Sequence, residues 1–139
     1  MRAKYVHTNL IARDWRKLAR FYEEVFGCIP LPPVRDYEGT NLEAATTLPG
    51  ARLKGMHLQL PGYGKGGPTL EIFEYQPGES SQEPAINRPG FAHIAFAVED
   101  VKTARDEFLA AGGSAYGELI VFETSEGEEV EMIYLRDPE

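Results

Sequence analysis

Two histidines at equivalent points of a repeat hold most of the chemical potential of this 139-residue chain. His7 opens the run His7-Thr-Asn-Leu-Ile-Ala-Arg-Asp14, and His93 opens His93-Ile-Ala-Phe-Ala-Val-Glu-Asp100. Each run is a short apolar strand carrying a histidine, followed by an aspartate that opens a helix. The helices end on Gly27 and Gly113, equally far from their histidines. Glu71, in Thr69-Leu-Glu-Ile-Phe-Glu-Tyr75, adds a carboxylate on a strand face that also bears Phe73 and Tyr75. Glutamate is rarely buried without a partner, and imidazole with carboxylate suits a borderline-to-hard divalent ion. The residues alone leave two readings open. His7, Glu71 and His93 hold a metal, or they are two structural histidines and a solvated glutamate.

His57 sits on a strand face that can look into the same cavity as Glu71, where it would touch a substrate. The simpler reading is a polar residue on the less buried face of its strand. Cys28 follows a helix end and has no local base to raise its thiolate fraction, so it reads as packing. The acidic residues Glu123, Glu126, Glu128, Glu129 and Glu131 lack the Asp/Asn/Gly spacing of a calcium loop and read as a solvated hairpin tip. Gly62-Tyr-Gly-Lys-Gly-Gly67 lacks the Lys-Ser/Thr pair and following helix of a phosphate loop, and reads as a hairpin turn.

The elements that must position these groups follow from periodicity. Residues 3–11 alternate and predict a strand. Asp14 is an N-cap candidate. Trp15, Leu18, Phe21, Tyr22, Val25 and Phe26 recur at helical spacing, and Gly27 suits a left-handed helix end. Pro30, Pro32 and Pro33 predict a loop from Cys28 to Asn41, leading to a strand near 41–48. Residues 51–61 and 69–75 read as strands joined in antiparallel hairpins. The first module, 1–76, is therefore βαβββ.

Residues 77–90 are polar, rich in turn formers, and read as a linker. A second module over 91–139 restarts with a strand at 91–98 and a helix capped by Asp100. Strands are expected at 115–123 and 129–136. The expectation is an α+β fold of two such modules in one domain, 1–139. Asp137-Pro138 is turn chemistry, so the second module is expected to lack its last strand.

Composition narrows the function classes. Net charge is −8, which disfavours nucleic acid, whose affinity rests on Lys and Arg neutralising phosphates. It equally disfavours an anionic membrane surface, and no apolar run approaches the ~20 residues of a membrane span. A single cysteine and the lack of a secretory apolar stretch predict a cytoplasmic protein with a small-molecule ligand.

Two βαβββ modules, a histidine on each first strand and Thr-Leu-Glu-Ile-Phe-Glu-Tyr together resemble the vicinal oxygen chelate superfamily. This group includes glyoxalase I, methylmalonyl-CoA epimerase, extradiol dioxygenases and the fosfomycin- and bleomycin-resistance proteins. Gly-Phe-Ala-His-Ile-Ala-Phe-Ala-Val-Glu-Asp-Val and the terminal Tyr-Leu-Arg-Asp-Pro-Glu extend the likeness over nearly the whole chain.

The resemblance implies a half-open mixed and antiparallel barrel around a divalent ion (Zn, Ni, Co, Mn or Fe). His7, Glu71 and His93 would be its ligands, and Glu71 would also be catalytic. His57, Phe73 and Tyr75 would line the substrate cavity. A further glutamate usual in the family would lie after the Asp-Pro-Glu turn. A glutamate at position 71 favours a glyoxalase-like lyase or isomerase, or an epimerase, acting on vicinal oxygens through an enediolate. An extradiol-type dioxygenase and a non-catalytic binding protein of the bleomycin-resistance type are the alternatives. The family also implies a homodimer, with the site completed in some members across the dimer interface.

Overall fold

Asp14 and Gly27 bound the helix that organises the core, as the sequence predicts. The structure is a computed structural model and describes residues 1–79 and 85–139. Helix α1 (Trp15–Phe26) starts where the Asp14 carboxylate accepts from the N–H groups of Arg16 and Lys17, at 3.0 and 3.2 Å. It stops at Gly27, whose φ of +66° is a conformation glycine adopts without steric cost. Trp15, Leu18, Phe21 and Tyr22 are buried along one side.

That side covers a four-stranded mixed sheet of β1 (His7–Ile11), β2 (Ile29–Glu38), β3 (Arg52–Gln59) and β4 (Thr69–Gln76), in the order β1-β4-β3-β2. The β3–β4 pair is antiparallel, as predicted, β2–β3 is antiparallel as well, and β1 runs parallel to β4. Parallel pairing requires a crossover, which α1 begins. Leu58, Leu70 and Ile72 project from β3 and β4 into the core with α1 and are almost fully buried. Strand β1 begins at His7 rather than at residue 3.

The reading of residues 28–48 is corrected. The predicted loop is the strand β2, and the predicted strand is a short helix, α2 (Thr40–Thr46). Three prolines are tolerated because β2 is an edge strand, where a missing N–H faces no partner. The register also shifts between Leu31 and Arg35, a bulge that takes Pro32, Pro33 and Val34 out of the ladder.

The second module is sparser than expected. Helix α3 (Val101–Ala110) is capped by the Asp100 carboxylate, which accepts from the Thr103 N–H at 2.6 Å. Its Phe108 packs edge-on against Phe21, with ring centroids 4.8 Å apart. The strands shrink to β5 (Ser114–Ala115) paired with β8 (Leu135–Arg136), and β6 (Ile120–Glu123) paired with β7 (Glu129–Met132). The acidic tip is a turn, closed by the Thr124 N–H donating to the Glu128 carbonyl at 2.8 Å.

The predicted strand at 91–98 does not form. Side-chain packing holds this segment instead. Ile94 and Phe96 join the α1 core, and Phe96 stacks on Phe26 at 3.9 Å. The fold is α+β with a mixed sheet and two small sheets, and the described residues form no closed barrel. Of the linker expected at 77–90, residues 80–84 lie outside the described residues. No helix among the described residues is long and apolar enough to cross a membrane.

Candidate active site

Residues directly opposite one another in a ladder project to the same face of the sheet. Pairing therefore sets Leu31, His57, Glu71 and Asn9 in one row across β2, β3, β4 and β1. The next row is Arg35, Gly55, Phe73 and Ile11. Because the alternate residues Leu58, Leu70 and Ile72 fill the core, both rows lie on the face turned away from α1.

Glu71 is the centre of this face. Its Oε1 lies 3.3 Å from His7 Nδ1 and 3.3 Å from His57 Nε2. The carboxylate is only 13% exposed, against 46% for His7 and 26% for His57. No lysine or arginine among the described residues forms an ion pair with it. The Asn9 amide donates to the Glu71 carbonyl at 3.4 Å and ties β1 to β4 at the same level.

Burial pulls the His57 pKa below the ordinary imidazole value. The Glu71 charge opposes this, and the charges of Arg35 and His7 reinforce it. His57 is therefore a neutral ring at neutral pH, able to donate or accept at Nε2 according to its tautomer.

Phe73 is buried beside this pair, and its ring meets His57 edge-on at 5.7 Å. Its space exists because Gly55 has no side chain: a Cβ there would collide with the Phe73 ring and the Ile72 carbonyl. Tyr75 continues the same face and lines a cleft of about 990 Å³ with Ile11, Leu48, Pro49 and Ala51. The three cavity candidates thus share one face. His57 and Phe73 stand against Glu71, and Tyr75 stands at the cleft.

His93 does not join His7 and Glu71 within one chain. It is exposed and meets the Tyr134 ring edge-on at 5.3 Å. Ile94 and Phe96 of the same segment pack with the α1 core, and the His93 ring meets Tyr134 rather than the Glu71 carboxylate.

The donor types at Glu71 fit a divalent ion. Their geometry within one chain does not make a shell, because one carboxylate oxygen takes both imidazole contacts. Among the described residues no three His, Cys, Asp or Glu side chains are arranged to hold a metal ion. His7 and Glu71 fit as part of a shell that needs a donor from elsewhere. Cys28 is buried, with its thiol pushed up to about 11, mainly by burial and then by Glu23. Its packing role stands.

Two residues of this face escape a reading from sequence. Asn9 was detectable as the next same-face residue after His7. Arg35 was hidden by the loop prediction, because only the pairing of β2 puts it on the Glu71 face.

The sequence model of the Glyoxalase/Bleomycin resistance protein/Dioxygenase superfamily matches residues 4–139. No curated protein matches the chain significantly. Several solved structures are similar. A glyoxalase family protein from Bacillus cereus is 18% identical with a TM-score of 0.72, over 94% of this chain and 91% of that one. The fosfomycin resistance protein FosX from Listeria monocytogenes, complexed with Mn(II) and sulfate, is 22% identical with a TM-score of 0.54, over 94% and 91%. A virulence protein from Salmonella typhimurium is 23% identical with a TM-score of 0.53, over 99% and 90%. At such identities these structures speak for the fold. With the family model spanning nearly all of the sequence, the chain belongs to the Glyoxalase/Bleomycin resistance protein/Dioxygenase superfamily.

Proposed function

We propose that the protein is a metal-dependent lyase, isomerase or epimerase that moves a proton beside a carbonyl in a small molecule bearing vicinal oxygens. The observation that carries this reading is the Glu71 carboxylate, shielded from solvent and flanked by His7 Nδ1 and His57 Nε2 at 3.3 Å each. Superfamily membership and the Mn(II) found with FosX support it. His7 and Glu71 would hold the ion, with His93 of a second copy completing the shell in a homodimer. A divalent ion there supplies Lewis acidity to two neighbouring substrate oxygens.

The chain's own groups supply the rest. Glu71 is the carboxylate nearest the reacting carbon, and a neutral His57 exchanges a proton with Glu71 Oε1 through Nε2. Phe73, buried behind them, limits access of water from that side. Calorimetric titration with zinc, nickel and manganese at neutral pH tests the reading. One ion per chain is expected, lost in His7→Ala, Glu71→Ala and His93→Ala. Deuterium uptake from solvent into hydroxyacetone, beside the carbonyl, is the expected chemistry. A protein that takes up none of the three metals sinks the proposal.

A second reading, a binding protein without chemistry, is favoured by the lack of a three-donor group among the described residues and by the 990 Å³ cleft at Tyr75. Ligand retention unchanged in Glu71→Ala, in a protein that binds no metal, would select it.

A further inference from the structure

Arg35 stands out on the candidate face by its charge. The chain carries a net −8, and the cations nearby in the sheet are neutralised by acids. Arg52 and Lys54 both pair with Asp36, at 2.8 and 3.2 Å. Arg35 has no carboxylate partner among the described residues. Its Nη1 donates to the carbonyls of Leu31 and Pro33, the residues of its own bulge. Those contacts fix the guanidinium without cancelling its charge, and they leave Nε and Nη2 for another acceptor.

The position is as informative as the charge. Arg35 pairs with Gly55, in the row next to that of His57 and Glu71, and is thus a diagonal neighbour of His57. Its charge is felt at the His57 ring. Gly55 places no side chain between the two, and the Phe73 ring fills that space as an apolar floor. A half-buried guanidinium fixed by backbone carbonyls is suited to bidentate recognition of a carboxylate or similar oxyanion.

We infer that Arg35 is a specificity-determining residue that selects substrates carrying a carboxylate or other oxyanion a few bonds from the vicinal oxygens that Glu71 addresses. This rests on the proposed function for the role of Glu71, but recognition of the anion by Arg35 is separable from it. The substrate would bridge the two rows, with its charged end at β2 and its reacting end at β4.

Two probes differ only in the distal charge: 2-hydroxyglutarate, and 2-hydroxyglutaramate with the distal carboxylate as an amide. Each is titrated into the ¹⁵N-labelled protein up to tens of millimolar and followed by NMR. The wild type is expected to prefer the acid by roughly tenfold, the scale of one charge-assisted hydrogen-bonded pair at a half-exposed site. Arg35→Gln should abolish the preference, and Arg35→Lys should keep part of it. The lysine variant serves as the test if glutamine disrupts the bulge.

Equal binding of the two probes by the wild type overturns the inference. So does no binding of the acid, or a preference that survives in Arg35→Gln. Zinc calorimetry on the same samples separates the two claims. A charge preference without zinc binding leaves Arg35 standing and removes the metal reading. Zinc binding without the preference does the reverse.

Discussion

His57 and Glu71 face each other directly across the β3–β4 ladder, with Nε2 and Oε1 3.3 Å apart. A carboxylate so flanked has a restrained orientation, and the ring beside it is held neutral mainly by burial.

Removing that ring should leave Glu71 free to rotate. We expect His57→Ala to weaken divalent-metal affinity by about 10–100-fold, the usual cost of losing a partner that orients a ligand. His57→Gln, which keeps a polar group on the strand, should recover part of it. Zinc calorimetry at pH 7.5 measures both, and an unchanged affinity in His57→Ala would exclude this orienting role.

Gly55 has a steric rather than a conformational requirement. Adding one methyl group drives it into the Phe73 ring and the Ile72 carbonyl, so Gly55→Ala should destabilise the fold by about 1–3 kcal/mol, the range for overpacking. Urea denaturation gives the value. Trimming the ring as well, in Gly55→Ala with Phe73→Leu, should be less costly than the two single changes added together.

Acid stability should involve Asp36. Bidentate hydrogen bonding from Arg52, aided by Lys54, holds its carboxyl down at about 2, against the ordinary 3.8. As pH falls the unfolded chain takes up this proton first. The contribution is therefore complete above pH 3.8 and disappears as pH approaches 2. The pair is exposed, so the effect is modest. Asp36→Asn should flatten the stability profile between these limits, and a profile that is unchanged in this variant would assign the acid transition to other carboxylates.

Cys28 should be inert until the chain opens. With a thiol near 11, about 0.1% is thiolate at pH 8, and the sulfur is buried as well. Reaction with a disulfide reagent at that pH should be roughly a hundredfold slower in the native protein than in urea. Fast native labelling would show that the α1–β2 corner opens readily.

Much of this architecture was readable from local chemistry. Asp14 and Gly27 bounded α1, and parity put Glu71 with Phe73 and Tyr75. What was unreadable depended on neighbours in space. Pro30, Pro32 and Pro33 read as a loop because proline cannot donate to a ladder, yet at a sheet edge with a bulge nothing is lost. The run Phe91–Val98 has strand composition, but its apolar residues pack on Phe26 and the core instead of pairing. The His93 ring meets Tyr134 instead of Glu71, which no repeat pattern reveals.

The parallel seam between β1 and β4 has a kinetic consequence. The β2, β3 and β4 ladders join strands adjacent in sequence, but Asn9 meets Glu71 across 62 residues. Long loops close late, because their entropy must be spent before distant contacts form. His7 should therefore reach Glu71 only after the hairpins have set, so that the candidate site is finished in the last step of its module's folding. Pulse-labelled hydrogen exchange would register this as protection at Met56 and Leu58 preceding protection at Thr8 and Leu10.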